Sequence, residues 1–275
     1  MKVAAIQMVS GAQLAPNLAR ARELLADAAA QGAELAVLPE HFYLLGHRDT
    51  DKLALTEAFG DGPIQAFVAQ AARELGLWIV AGTLPLTPPQ GPDAQGRASN
   101  SSLAFAPDGR CVARYDKLHL FRLDNGDEQF DEARTLVHGD VPVMFELPSR
   151  GGHCWRIGLS VCYDLRFPEL YRHYAAQGAD LLLVPSAFTF HTGEAHWELL
   201  LRARAVENLV YVVAPAQGGT HENGRRTWGH TLVADPWGQV LAQREEGAGA
   251  LVCELDERQI VRRRQQLPAL GHRRL

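Results

Sequence analysis

Cys162 stands where an apolar, β-patterned run ends and a helix is predicted to begin. The run Arg156–Cys162 precedes Pro168, which is typical of a first helical turn because its φ is fixed and it has no N–H to donate. A turn from a strand into a helix presents its side chain beside free backbone N–H groups. The pattern predicts a thiol nucleophile next to an oxyanion hole. A buried structural cysteine is the alternative.

Two ionisable residues are predicted at similar strand ends. Glu40 ends the apolar run 35–40, and Lys117 ends the segment 103–117, directly after a predicted hairpin. Either residue alone is typical of an exposed rim charge. Together with Cys162 they have the groups for amide hydrolysis. The carboxylate would take the thiol proton and the thiolate would attack, while Lys117 and the backbone N–H of Tyr163 would stabilise the oxyanion.

The segments around these residues resemble the three motifs of the nitrilase superfamily, the carbon–nitrogen hydrolases with a Glu-Lys-Cys triad. They are Leu38-Pro-Glu40, Tyr115-Asp-Lys117-Leu-His-Leu-Phe121 and Val161-Cys162-Tyr-Asp-Leu-Arg-Phe-Pro-Glu169. Residues 185–188, 193–208 and 267–274 are similar to one branch, the deaminated glutathione amidases. The resemblance implies a Cys162 thioester enzyme without a cofactor or metal. Its substrate would be deaminated glutathione, cleaved to 2-oxoglutarate and cysteinylglycine.

The resemblance also implies a second glutamate close to the triad. Glu132 lies where this residue is expected, and Glu128 is the nearby alternative. An exposed loop carboxylate is the other interpretation of Glu132.

Several residues are candidates for contact with a small-molecule amide substrate. Arg166 would bind a substrate carboxylate, unless it forms a structural ion pair with Asp164 or Glu169. Further candidates are Phe188, Thr189 and His196, the last of which is equally typical of a structural histidine.

Other functions stay open at this stage. One is an omega-amidase acting on 2-oxoglutaramate, or an enzyme of nitrile or carbamoyl substrates, and another is an inactive interaction protein on the same fold. A Cys-His protease is disfavoured because no local signature is present and His119 is typical of a structural residue. A metal site is disfavoured because His191 and His196 do not share a helical face and H-E-x-x-H is absent.

Composition narrows the classes of partner. The chain has 275 residues, of which 47% are hydrophobic, and a net charge of −5, so it lacks the excess positive charge that nucleic-acid binding requires. No apolar run is long enough to span a bilayer, and the N-terminus does not resemble a signal peptide. Its four cysteines have no metal-ligand spacing and are too few for a disulfide framework. We therefore expect a cytoplasmic protein that binds neither membrane nor nucleic acid.

The chain contains an internal sequence repeat. Gln31–Glu40 matches Gln177–Ser186, and three other elements recur in the same order. Each half is predicted to form strand, helix, strand, helix, strand and hairpin. The resemblance to the nitrilase superfamily and the sequence repeat both indicate an α/β fold, a four-layer αββα sandwich with an internal pseudo-repeat. We expect one domain over 1–275, whose tail 256–275 contacts a partner subunit in a homodimer or higher homo-oligomer.

Overall fold

The chain alternates between strands and helices in each half, as the pattern predicts. The computed structural model describes residues 1–124, 126 and 129–274. The strands, in chain order, are β1 (Lys2–Gln7), β2 (Leu35–Val37), β3 (Trp78–Leu86), β4 (Ala98–Phe105), β5 (Cys111–Asp116), β6 (Arg122–Asp124), β7 (Gln129–Asp131), β8 (Leu136–Val137), β9 (Met144–Pro148), β10 (Cys154–Leu159), β11 (Leu181–Leu183), β12 (Tyr211–Ala214), β13 (Gly218–Thr220), β14 (Arg226–Trp228), β15 (Thr231–Ala234), β16 (Val240–Arg244) and β17 (Gly249–Glu254). The α-helices are α1 (Leu14–Ala30), α2 (Pro63–Leu75), α3 (Pro168–Ala176), α4 (Phe190–Asn208) and α5 (Glu257–Gln266).

Two mixed sheets repeat the same topology. The first has the strand order β17-β1-β2-β3-β4-β5 with β8 beside β4, and the second has the order β16-β15-β12-β11-β10-β9. β1, β2 and β3 are parallel, as are β10, β11 and β12. An antiparallel hairpin then extends each sheet, β4–β5 in the first and β15–β16 in the second. This correspondence confirms the pseudo-repeat.

Alternation along the strands separates the two faces of each sheet. On β1, Val3 and Ala5 pack between the sheets in one cluster with Ile157 of β10, whereas Ala4 and Ile6 pack in a second cluster with α1 and α2. Residues of α3 and α4 join the first cluster from the outer face of the second sheet. The layers are therefore helix, sheet, sheet and helix, as predicted.

The sandwich brings the candidate residues to one end of the sheets. Glu40 follows β2, Lys117 follows β5 and Cys162 follows β10. Because the carboxyl ends of parallel strands meet at one edge, loops from the two halves converge there. Each of the three residues is thus positioned by the end of a different strand.

Some local predictions differ from the structure. A 3-10 helix, Cys162–Arg166, lies between β10 and α3, so the turn is longer than a direct strand-to-helix elbow. The described residues of the segment 121–140 form β6, β7, a 3-10 helix (Glu132–Arg134) and β8. None of the described helices combines the length and apolarity needed to cross a bilayer.

Candidate active site

The carboxylate of Glu40 is buried and held by three donors. Its Oε1 accepts hydrogen bonds from Nδ2 of Asn100 at 2.9 Å and from Nζ of Lys117 at 2.9 Å. Its Oε2 accepts from the backbone N–H of Ala187 at 3.0 Å. These donors come from β4 and from the segments after β5 and β11. They fix one orientation of the Glu40 carboxylate, which can only accept hydrogen bonds.

Lys117 is completely buried between two carboxylates. Its Nζ lies 2.9 Å from Glu40 Oε1 and 2.9 Å from Glu132 Oε1. Burial by itself would lower the pKa of Lys117, but Glu132 and Glu40 raise it well above its ordinary value. An ammonium has three N–H donors. Two serve the glutamates, which leaves one for a further acceptor in the pocket.

Glu132 is part of this cluster rather than an exposed loop residue. Its Oε2 accepts from the backbone N–H of Phe121 at 2.7 Å, and its own N–H donates to the Phe121 carbonyl at 3.0 Å. The structure thus places Glu132 beside Lys117, where a second glutamate is expected. Glu128, the alternative, lies outside the described residues.

Cys162 adopts a backbone conformation that is unusual for a residue with a side chain. Its φ is +51°, and strain of this kind is often found at functional sites. Its N–H donates to the carbonyl of Pro185 at 3.0 Å, so this N–H is not available to an oxyanion. The N–H of Tyr163 lies in the first turn of the 3-10 helix, where no intrahelical acceptor exists. The oxyanion position can therefore be served by Tyr163.

The surroundings of Cys162 favour the protonated thiol over the thiolate. Burial and the neighbouring Glu40 raise its pKa well above the ordinary value, although Lys117 acts in the opposite direction. No histidine lies within hydrogen-bond distance of Sγ in the described part of the chain. The arrangement suits proton transfer to Glu40 during attack rather than a stored thiolate.

We expect this raised pKa to be visible in a pH titration. Because a raised pKa keeps the proton on sulfur, the thiolate absorbance near 240 nm that distinguishes the parent protein from Cys162→Ala should be absent below about pH 8.5, the ordinary thiol pKa. A thiolate step between pH 4 and 7 would instead indicate an ion pair of the kind found in Cys-His enzymes. Cys154→Ala, which removes an exposed cysteine, is the control.

Asp164 holds the turn that carries Cys162. This buried carboxylate accepts from the Val161 N–H at 2.8 Å, the Tyr115 hydroxyl at 2.6 Å and the His119 N–H at 3.0 Å. The Nδ1 of His119 is 2.7 Å from the same carboxylate, and its ring stacks on Phe167 with centroids 3.6 Å apart. His119 is thus a structural residue, as predicted.

The pocket has two lobes that meet at Cys162. The glutamate lobe, of about 510 Å³ with its open mouth, is lined by Glu40, Glu132 and the residues His41, Asp49, Lys52, Phe130, Asp131 and Arg225 among others. The Arg166 lobe, of about 230 Å³, is lined by Tyr163, Arg166, Phe188, Thr189 and Thr192. Phe121, Cys162, Ala187 and Thr189 border both lobes.

Three of the four predicted substrate contacts line the pocket. Arg166 has its guanidinium 5.7 Å from the rings of Tyr163 and Phe188. Within the described residues it forms no ion pair with Asp164 or Glu169, the structural alternative. Thr189 is the N-cap of α4. His196, by contrast, is exposed on α4 and approaches Arg166 at 3.4 Å without lining either lobe.

Other residues of the site were not predicted. Asn100 sits inside a strand, while Lys52 and Arg225 lie in connecting segments without a recognisable motif. His41 follows Glu40 with φ +57°, and its Nε2 is 3.9 Å from Glu40 Oε1. Burial lowers the pKa of His41 well below its ordinary value, so its imidazole is neutral at neutral pH. Only the adjacency of His41 to Glu40 could have signalled its place.

Glu40, His41 and Glu132 are close enough to resemble a metal site, since their ligand atoms lie within 4.8 Å of one another. The ammonium of Lys117 already lies 2.9 Å from each carboxylate. A metal ion there would face a buried positive charge at close range. The donor set therefore fits Lys117 and not an additional cation.

Comparison with known proteins agrees with this geometry. The sequence profile of the carbon–nitrogen hydrolases matches residues 2–265. The chain belongs to this family. It is 42% identical to a deaminated glutathione amidase of Synechocystis sp. over 98% of this chain and 97% of that protein. It is 35% identical to an omega-amidase of Mus musculus over 99% of this chain and 95% of that protein.

A solved structure extends the likeness to the fold. The NitFhit protein of C. elegans superposes with a TM-score of 0.87 at 36% identity, over 99% of this chain and 65% of that one. The chain thus spans about two thirds of that protein's length. The α/β sandwich and its membership of the nitrilase superfamily agree with the expectation from sequence.

Proposed function

We propose that this carbon–nitrogen hydrolase is an amidase that cleaves deaminated glutathione to 2-oxoglutarate and cysteinylglycine. The observation that carries the proposal is the convergence of a buried thiol, a fixed carboxylate and a buried ammonium where the two lobes meet. The similarity to a deaminated glutathione amidase over nearly the full chain supports the substrate.

Acylation uses three groups of the site. Cys162 Sγ attacks the amide carbon while its proton passes to Glu40. The resulting oxyanion accepts hydrogen bonds from the remaining N–H of Lys117 and from the Tyr163 N–H. Glu40 then returns the proton to the amide nitrogen, the C–N bond breaks, and the amine leaves a thioester on Cys162.

Deacylation repeats the same proton transfers with water. Glu40 takes a proton from a water molecule as its oxygen attacks the thioester carbon. The C–S bond then breaks, and the proton returns to sulfur, so the carboxylic acid product leaves and the thiol is restored. Glu132 keeps Lys117 in place through both steps and is a positioning residue for the oxyanion donor.

The Arg166 lobe suits the acyl half of the substrate. A 2-oxo acid ends in a carboxylate, and Arg166 has no carboxylate partner among the described residues. The N-terminus of α4, at Thr189 and Thr192, lies in the same lobe and adds a favourable dipole for an anion. Phe188 covers the apolar part of the acyl chain.

Omega-amidase activity is the second candidate, because 2-oxoglutaramate has the same acyl group and the chain resembles an omega-amidase. Parallel measurement of kcat/KM on deaminated glutathione, 2-oxoglutaramate and a panel of nitriles and carbamoyl compounds tests the proposal. Higher kcat/KM on deaminated glutathione supports it, and higher kcat/KM on another substrate rejects it. Failure to form a thioester with any of them, by mass spectrometry, would favour an inactive interaction protein.

We also propose a cytoplasmic location. Cys162 must remain a thiol, and Cys111, Cys154 and Cys253 are unpaired as well. A reducing compartment preserves these groups. Cell fractionation tests this proposal.

A homodimer is the proposed assembly, formed through the helix layer that carries α4 and the tail 256–275. Leu199 and Val206 of α4 are 69% and 45% exposed, and Trp237 nearby is 49% exposed. We expect sedimentation velocity at micromolar concentration to give twice the chain mass of 30.2 kDa. Leu199→Glu should shift the protein toward monomer because it places a charge in the interface. Val141→Glu, at another exposed apolar residue, should not; a monomeric parent protein would contradict the proposal.

A further inference from the structure

The glutamate lobe contains a lysine that has no close ion-pair partner among the described residues. Lys52, in the 3-10 helix Asp51–Leu55, forms no ion pair or hydrogen bond with any other described residue. Its side chain is half-buried, and burial lowers the pKa of its ammonium, although the more distant carboxylates of Glu132, Asp49 and Glu40 act in the opposite direction. The carboxylates of this lobe have other partners. Glu40 and Glu132 pair with Lys117, and Asp49 lies 3.8 Å from Arg225.

Arg225 reaches the same part of the lobe from the other half of the chain. Its guanidinium lies 4.9 Å from the ring centre of Phe130. The turn that carries it is fixed by Asn223, which accepts from the Arg225 N–H at 3.0 Å and donates to the Gly46 carbonyl at 2.7 Å. A guanidinium has five donors, so its loose pair with Asp49 leaves several for a ligand.

These two cations lie away from the nucleophile. Lys52, Arg225, His41 and Asp49 line both the glutamate lobe and a neighbouring surface depression that does not include Cys162. They therefore border the outer part of the lobe. A ligand that extends from Cys162 past Glu40 would reach them with its far end.

Protonation of the leaving nitrogen determines which half of the substrate lies in the glutamate lobe. The group that protonates the leaving nitrogen must be within hydrogen-bond reach of it. Glu40 and Glu132 line this lobe, whereas none of the described residues that line the Arg166 lobe has a carboxylate. The leaving amine consequently departs through the glutamate lobe, and the acyl chain remains in the other. A dipeptide leaving group spans about 7 Å and ends in a carboxylate.

We propose that Lys52 and Arg225 bind the terminal carboxylate of the leaving peptide and so select peptide amides over primary amides. This inference rests on the proposed function and adds its specificity determinant. An ammonia leaving group has no atoms to meet either cation. The pair would therefore separate two substrates that have the same acyl group and form the same thioester.

The test compares kcat/KM for deaminated glutathione and for 2-oxoglutaramate in Lys52→Met and Arg225→Met. We expect the ratio of the two values to fall by about tenfold or more, the loss typical of one charge-assisted hydrogen bond. Arg226→Met is the matched control, because Arg226 pairs with Glu246 at 3.1 Å outside the pocket. Arg166→Met should lower both activities and keep the ratio. An unchanged ratio in both lobe variants would overturn the inference.

A binding measurement keeps the inference separate from the proposed function. In Cys162→Ala, calorimetry compares alanylglycine with alanylglycinamide, which lacks the carboxylate. Binding of the acid about tenfold more tightly, lost in Lys52→Met/Cys162→Ala, supports the anion site even if the parent enzyme hydrolyses neither substrate. Equal binding of acid and amide rejects the site, whatever the substrate proves to be.

Discussion

Replacing Cys162 with alanine is expected to lower amide hydrolysis by about 10⁵-fold or more while the protein stays folded. The variant has no atom that can form the thioester, and the remaining groups cannot substitute for a covalent nucleophile. The change removes one sulfur from a small side chain, so the cavity is small and we expect an unfolding free energy within about 1–2 kcal/mol of the parent. Steady-state kinetics and thermal unfolding measure the two effects.

The other cysteines provide the matched controls. Cys111→Ala, Cys154→Ala and Cys253→Ala should retain parent activity because none of them lines either lobe. Acid-quenched parent enzyme should carry the acyl mass on the peptide that contains Cys162, and Cys162→Ala should not. General alkylation is a weaker test, since Cys154 is exposed and would react before the buried Cys162. Parent-like turnover by Cys162→Ala would reject the covalent mechanism.

The fold could be predicted from the sequence because several local patterns indicated the same elements. Buried parallel strands such as Leu181–Leu183 give continuous apolar runs, and Pro168 marks the start of α3. The repeated order of elements then predicted the same succession of strands, helices and hairpin in both halves. Cys162, Glu40 and Lys117 could be singled out because each follows a strand that ends at the same edge of the sandwich.

The pocket walls could not be predicted in the same way. Lys52 and Arg225 are about 170 positions apart. They line the same lobe because the β13–β14 turn docks through Asn223 on the segment after β2. No periodicity encodes such a contact. His196, in contrast, was predicted to contact the substrate but lines neither lobe. It lies six residues beyond the start of α4, and its side chain is exposed to solvent. Side-chain direction depends on the helix rotation, which the motif does not specify.

Replacing Glu40 with glutamine is expected to lower kcat by about 10³-fold or more. The amide has the shape of the carboxylate but cannot accept the thiol proton, so both acylation and deacylation lose their base. It also provides one acceptor oxygen where the carboxylate has two. Either the Ala187 N–H on one side or Lys117 and Asn100 on the other would then face an NH₂ group. We therefore expect some loss of stability, which Lys117 limits because it keeps Glu132.

Glu57→Gln separates lost chemistry from lost stability. Glu57 is also a buried glutamate, but it accepts from the Ile64 and Gln65 N–H groups at the start of α2, outside the pocket. Its substitution should reduce stability by about 0.5–2 kcal/mol, as for a lost helix cap, and leave kcat near the parent value. Glu40→Gln should instead slow single-turnover thioester formation strongly, while the protein stays folded despite some loss of stability. A Glu40→Gln protein that forms the thioester at the parent rate would assign the base to another group, and Glu132 would be the next to test.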